Sequence, residues 1–413
     1  MFTVSGRRLA CRGRVDGKFE IRNSKFEITN GWSSVSDRIR VLLVITRLEL
    51  GGAQRVVLYT AKTLDRERFA VALAWGSGDL LDDEADAVPK LERFPVGSLV
   101  RSVSPISDFR ALAALRAAIR FFQPQVVHTH SSKAGILGRL AARLENVPAV
   151  VHTVHGFGFT PLQPVPMRLA FRVAESTLAR STDHFVTVSE VDRQRGIEMG
   201  LFEPGRATVI RAGIDLEKFR AAADGDAARD RLGVPADSPL VTQIGNFKPQ
   251  KAPLDFVRVA AAVREHSPEA RFVMVGDGPL RASAEELARS LGVADRMIFC
   301  GWWDDVPGLL AAATVSVLTS RHEGLPCSVV ESLAAGVPVV ATAVDGTVEV
   351  VRSGVNGFLA PAGDVRALAE GVSTILADEE IRERFAAAAS VGLEAFDHDL
   401  MVRQQEELYG ALV

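Results

Sequence analysis

The sequence predicts an α/β chain built from two doubly wound units that face each other across a cleft. Three observations predict it. Short aliphatic runs alternate with helical periodicity along most of the 413 residues, the pattern of parallel strands covered on both faces. The alternation stops and restarts once, near residues 209–219. Glycines and histidines collect just beyond the strand-like runs, where open α/β sheets bind ligands.

The elements follow in order. Residues 39–45 are almost wholly β-branched or aliphatic and predict a buried strand. Gly51 and Gly52 open a helix over 53–64, and 69–74 is the next strand. Residues 108–122 place Leu112, Leu115 and Ile119 on one helical face. Strands at 126–130 and 149–153 flank a helix at 133–144; a helix at 169–178 and a strand at 185–189 follow. In the second unit the strands are 240–245, 271–276, 297–301, 315–319 and 338–341. Its helices are 254–265, 282–291, 328–335, 365–376 and 379–394. The units are therefore read as 38–215 and 216–390, with 391–413 as a helix returning to the first unit. Residues 1–37 are polar and aperiodic, with an internal echo at Phe19-Glu20-Ile21 and Phe26-Glu27-Ile28. They read as a disordered extension or as translated upstream DNA, and no function is placed there.

Bulk properties exclude several classes. Hydrophobic residues make up 47% and charged residues 24%, as in an ordinary globular chain. Lys plus Arg is 48 against 51 for Asp plus Glu, a net charge of -3 that gives no reason to expect nucleic acid. Cys11, Cys300 and Cys327 are far apart and lack metal-ligand or disulfide spacing. The uncharged run 306–320 is too short to span a bilayer, and the one at 149–167 is broken by prolines, glycines and histidines. The opening residues show no apolar core of the signal-peptide kind.

Five constellations could carry chemistry. Gly51 and Gly52 stand at a strand-to-helix turn, where the backbone can approach a ligand and free N–H groups face an anion, although a tight turn alone would also ask for glycine. His128 and His130, then His152 and His155, close two strands. His128 and His152 read as packing residues; His130 and His155 stand at loop starts and read as site residues, with Lys133 beside them. No carboxylate cluster accompanies them, so no metal is expected. Asn246, Lys248 and Lys251 follow the first strand of the second unit, and a lysine there can pair with phosphate, or be an ordinary surface residue. Gly276-Asp277-Gly278 lacks the third glycine of a dinucleotide fingerprint. The fifth is the most specific: Glu323-Gly324-Leu325-Pro326 in a loop after a strand, then Glu331 in the first turns of a helix. A solvated acid at a helix start is the plainer explanation. Two carboxylates flanking a helix N-terminus can instead hold two hydroxyl-bearing rings on either side of a diphosphate.

In this order, these residues resemble glycosyltransferase family 4, retaining enzymes with two Rossmann-like domains, the GT-B fold. The resemblance runs from about residue 39 to 413 and is most specific in the Glu-x7-Glu pattern of Glu323 and Glu331. It implies a nucleotide-sugar donor as co-substrate and no cofactor or metal. It implies that Glu331 holds the ribose, Glu323 and His155 the transferred sugar, and Gly324, Leu325 and Pro326 the sugar and diphosphate through their backbone. Lys251, Gly51 and Gly52 would approach the phosphates. One position departs: the family usually has Arg where this chain has Asn246, which Lys248 or Arg281 could replace. The first unit would read the acceptor, with His130 and Lys133 on that side. The expected function is transfer of a hexose-type sugar, UDP-linked as a first guess, to a saccharide or lipid-linked acceptor of cell-surface polysaccharide synthesis. The alternatives are a nucleotide-sugar epimerase and a non-catalytic sugar-nucleotide-binding protein. The expected location is the cytoplasm, peripheral on the inner face of the membrane, since 157–172 sets Phe159, Leu162, Val165 and Leu169 beside Arg168 and Arg172.

Overall fold

The computed structural model describes residues 18–21, 24–27, 38–158, 165–221 and 223–413. The strands β1 (Lys18–Ile21) and β2 (Ser24–Glu27) pair as an antiparallel ribbon, with Phe19 opposite Phe26. The sequence echo thus lies across a two-stranded register in a stretch read as aperiodic. The remaining residues of that extension, and 159–164 of the apolar-basic segment, fall outside the described residues.

Two parallel sheets organise the rest. The first contains β3 (Ile39–Arg47), β4 (Phe69–Gly76), β5 (Glu92–Pro95), β6 (Val126–His130), β7 (Ala149–Val154), β8 (His184–Thr187) and β9 (Ala207–Val209), in the order β5-β4-β3-β6-β7-β8-β9. The second contains β10 (Leu240–Ile244), β11 (Arg271–Val275), β12 (Met297–Gly301), β13 (Val315–Leu318), β14 (Val339–Thr342) and β15 (Gly357–Ala360), in the order β12-β11-β10-β13-β14-β15. Each sheet starts in its middle, runs outward to one edge, and then returns to fill the other. That reversal creates a crevice at the strand tips, between β3 and β6 and between β10 and β13.

The sequence makes these strands central. The interior of β3 is Val41, Leu42, Leu43, Val44 and Ile45, all fully buried, so both faces need apolar cover. Helices supply it, and their caps fix where they start. The helix Pro105–Phe122 begins three residues before its periodicity, because Ser104 accepts the Ser107 N–H and proline sits in the first turn. Three strands, β5, β9 and β15, and the helix Val306–Ala312 are too short for periodicity to mark.

The last helix, His398–Leu412, lies against the first unit. Tyr59 Oη donates to Asp399 at 2.5 Å, and Glu406 accepts the Asp65 N–H at 2.8 Å. Tyr409 is buried on β6, with its hydroxyl 2.6 Å from His128 Nδ1.

Candidate active site

The strand tips of both sheets converge on one cavity of about 720 Å³. From the first unit it is lined by Thr46 at the end of β3, by Ser131, Ser132 and Lys133 after β6, and by His155 and Gly156 after β7. From the second it is lined by Gln250, His322, Glu323 and Gly324. Part of its lining is aromatic, with Phe157, Phe171, Phe185 and Phe202.

Glu323 is buried, and two donors meet its Oε1: Lys251 Nζ at 2.6 Å and Ser320 Oγ at 2.5 Å. Its backbone N–H donates to Asp345 Oδ2 at 2.8 Å. Thr342 Oγ1 donates to the Ser320 carbonyl at 2.7 Å, which ties the loop to β14. The next residue is where the halves touch. A Cβ on Gly324 would lie 2.4 Å from the His155 carbonyl oxygen. A Cβ on Gly156, at φ +101°, would lie 3.1 Å from the Gly324 nitrogen. Only glycine fits two backbones that close together.

The helix Cys327–Ala334 follows, with Pro326 as its N-cap and no side chain closing its first N–H groups. It presents those dipoles at the start of the other unit's first helix: a Cβ on Gly52 would lie 2.7 Å from Cys327 Sγ. Leu325 is buried in the core, so it offers the cleft its backbone rather than its side chain. Burial raises the Glu331 carboxyl above its usual range, against the pull of Arg55, Lys218 and Lys251. Burial also pushes the Cys327 thiol up to about 12, which keeps it protonated and unreactive.

Asn246 donates through Nδ2 to the Leu50 carbonyl at 3.5 Å, one residue before Gly51. Neither candidate replacement for the missing arginine is free. Lys248 pairs with Glu49 across the cleft at 3.1 Å, and Arg281 donates to Glu285 and to the Phe299 carbonyl, each at 2.9 Å. The turn at Gly276 and Gly278 follows β11 and packs beside the turn after β10. Both have positive φ and crowd the backbone of residues 245–247, which explains the glycines.

The histidines divide by depth. His128 and His152 are buried, as expected from the sequence, although His152 also lines the cavity. His130, expected on the acceptor side, is fully buried and does not line the cavity. Its Nδ1 lies 3.0 Å from His155 Nε2, so it orients His155 rather than meeting a ligand. As the last residue of a central strand it is covered on both faces, which its neighbouring polar residues conceal. Burial lowers His155 to about 4, so the ring facing the cavity is neutral. Lys133 does reach the cavity, ion-paired with Asp108 at 2.5 Å. Ser320, Gln250 and Asp345 were not anticipated. Asp345-Gly346 was readable only as a turn dipeptide.

This geometry, a GT-B fold with a carboxylate loop and a helix N-terminus at the interunit cleft, is that of a glycosyltransferase acting on a nucleotide sugar. Residues 50–218 match the family described as Glycosyltransferase Family 4 and residues 224–391 that described as Glycosyl transferases group 1. The chain is 35% identical over 337 residues to the UDP-Gal:alpha-D-GlcNAc-diphosphoundecaprenol alpha-1,3-galactosyltransferase of Escherichia coli, covering 80% of this chain and 86% of that one. It is 32% identical over 347 residues to the D-inositol 3-phosphate glycosyltransferase of Salinispora arenicola, covering 77% and 76%. Among solved structures, Anabaena Alr3699/HepE in complex with UDP-glucose has a TM-score of 0.77 at 23% identity, over 91% of this chain and 100% of that one. The lipopolysaccharide glycosyltransferase WaaG has 0.73 at 19%, over 90% and 99%. The chain belongs to glycosyltransferase family 4.

Proposed function

We propose that this chain transfers a galactosyl or closely related hexosyl group from a UDP-sugar to a lipid-linked diphosphate saccharide, with retention at the anomeric carbon and without a metal. The observation that carries the reading is the Glu323 loop, gripped by Lys251 and Ser320 and pressed by His155-Gly156 from across the cleft. Glu323 then holds hydroxyls of the transferred sugar, Glu331 the ribose, and the N–H groups at the start of Cys327–Ala334, with Lys251, the diphosphate. His155, held by His130, stands by the sugar as a neutral hydrogen-bonding partner. Asn246 comes to the diphosphate from the same unit as Lys251, and Gly51 and Gly52 come to it from the opposite side. Lys133 faces the acceptor.

Retention is argued from the family resemblance, and the carboxylates of the cavity bear on its route. Asp108, Glu175 and Glu323 are each held by a cation, Lys133, Arg139 and Lys251, at 2.5, 2.5 and 2.6 Å. A carboxylate so paired is a poor attacking group. The leaving diphosphate and the acceptor hydroxyl then share one face of the sugar, and the diphosphate oxygen accepts the hydroxyl proton.

The name of the 35% identical E. coli relative and the aromatic part of the cavity lining support this donor and acceptor. No helix among the described residues is long and apolar enough to cross a membrane. On the helix Val165–Ala179, which contributes Phe171 to that lining, Val165, Leu169 and Val173 are exposed, next to Arg168 and Arg172. This face suits the cytoplasmic surface of an anionic membrane carrying the acceptor.

The test is incubation with UDP-galactose and a polyprenyl-diphosphate N-acetylglucosamine acceptor, with and without EDTA, and the product read by NMR. An α-linked product formed equally with EDTA is expected. A β-linked product overturns retention, and loss with EDTA overturns metal independence. Interconversion of UDP-sugars without acceptor supports an epimerase instead. Tight UDP binding without turnover over a panel of acceptors supports a binding protein.

A further inference from the structure

Asp345 joins three things that the reaction needs together. It opens a 3-10 segment, Asp345–Glu349, after β14. Its φ is +41°, a left-handed conformation that costs free energy in any residue but glycine. Its side chain is only 7% exposed. One carboxylate oxygen, Oδ2, accepts the Glu323 N–H at 2.8 Å. The other, Oδ1, lies 2.7 Å from Nη1 of Arg195, on the helix Glu190–Glu198 of the opposite unit.

The surroundings reinforce this link. The Gly346 N–H donates to the Gly324 carbonyl at 3.1 Å, and a Cβ on Gly346 would meet that oxygen at 2.1 Å and Ser189 Cβ at 3.0 Å. Glu349 accepts the Val191 N–H at 2.9 Å and pairs with Arg211, so the same helix is held at its start as well. Asp192, on Arg195's own helix, stands 4.0 Å from the same guanidinium. Asp345 is therefore held in a strained conformation by one contact within its unit and one from across the cleft.

We propose that Arg195 and Asp345 are positioning residues that make the Glu323 loop competent only when the two units close. With the units apart, Asp345 has no cation on Oδ1, its strained backbone relaxes, and the Glu323 amide loses its acceptor. With them closed, the carboxylate is fixed at both oxygens and the loop is set for the sugar. Glu331 lies outside this chain of contacts, on a helix anchored by Val329, Val330 and Leu333 in the core. The latch thus acts mainly on the sugar and reaches the nucleotide only through Lys251, which also meets Glu323. This inference rests on reading Glu323 as the sugar-holding carboxylate.

The experiment compares UDP with UDP-galactose by calorimetry, alongside turnover and melting temperature. Arg195→Gln is expected to weaken UDP-galactose about tenfold and cut kcat by a similar factor, with UDP affinity within twofold of the wild type. Arg195→Lys keeps the charge and should recover most of the loss. Asp345→Gly removes both contacts while relieving the positive φ; it should keep or raise the melting temperature and still lose the sugar-dependent part of the affinity. A ratio of the two affinities within twofold of the wild type in Arg195→Gln and Asp345→Gly overturns the latch. A wild-type protein that binds UDP but gains nothing from the sugar overturns the role of Glu323, and the latch with it.

Discussion

Glu323 and Glu331 carry the same functional group eight positions apart, yet their surroundings assign them different work. Both recorded side-chain contacts of Glu323 fall on Oε1. Glu331 instead faces Arg55 and Lys218 beyond the helix start, in the field that opposes its desolvation. Glu323→Gln keeps the shape and loses the charge partner of Lys251. It should cut turnover roughly 10²–10³-fold, as for removal of one charge-organising group, while UDP binding by calorimetry changes little. Near wild-type turnover would remove it from the site. Gly324→Ala tests the contact between the halves. Its Cβ would sit 2.4 Å from the His155 carbonyl and 2.8 Å from the Gly156 nitrogen, both backbone atoms that cannot swing aside. The units must then part by a fraction of an ångström, and a misplacement on the order of 1 Å costs about 10²-fold in rate, which steady-state kinetics would show. The carboxylate pair was legible because acids beside a Gly/Pro loop at a helix start are a local pattern. His130 was not: two His-x-His-like strand ends look alike, and burial depends on how far each strand runs under its helices.

The same division holds for elements. Aliphatic runs were read correctly even in four-residue strands such as β13 and β14, whereas β5 (Glu92–Pro95), β9 and β15 carry no such continuous run. The C-terminal helix was predicted to return to the first unit, and the structure supplies the reason in Tyr409. Its hydroxyl meets His128 Nδ1 at 2.6 Å, while Thr153 Oγ1 meets the other ring nitrogen at 2.6 Å. Both residues are fully buried. Tyr409→Phe leaves the ring packing in place and orphans one buried polar atom. It should destabilise the protein by about 1–3 kcal/mol, seen as a lower urea midpoint with an unchanged slope. An unaltered midpoint would mean that a water replaces the hydroxyl.

At the scale of the whole molecule, closure could not be read from the sequence: Arg195 with Asp345 and Asn246 with Leu50 meet only because two sheets present their strand tips to each other. What the assembled molecule does add is a dependence on pH. Burial lowers His128 to about 3 and His155 to about 4, and holds His130 and His152 well below their ordinary value, with neighbouring rings adding repulsion to His128, His130 and His152. In the unfolded chain these rings titrate near ~6.5. Below that pH the unfolded state binds protons that the folded state refuses, so stability falls as pH falls. Asp192 has the opposite sign. Burial raises it to about 7, with Asp345 and Glu349 adding to the rise. The folded state keeps a proton that the unfolded chain gives up near ~4, so stability falls as pH rises from ~4 to 7. Four histidines against one aspartate leave a net difference of about three protons, a slope on the order of 4 kcal/mol per pH unit at most between pH 6 and 4.5. Acid should therefore weaken the fold progressively below about pH 6.5. Asp192→Asn, which mimics the protonated acid, should raise stability at pH 8 and leave it unchanged below pH 4. Urea midpoints measured from pH 4.5 to 8.5 check both signs; a midpoint that stays flat between pH 6.5 and 5 contradicts the neutral, buried state of the four rings.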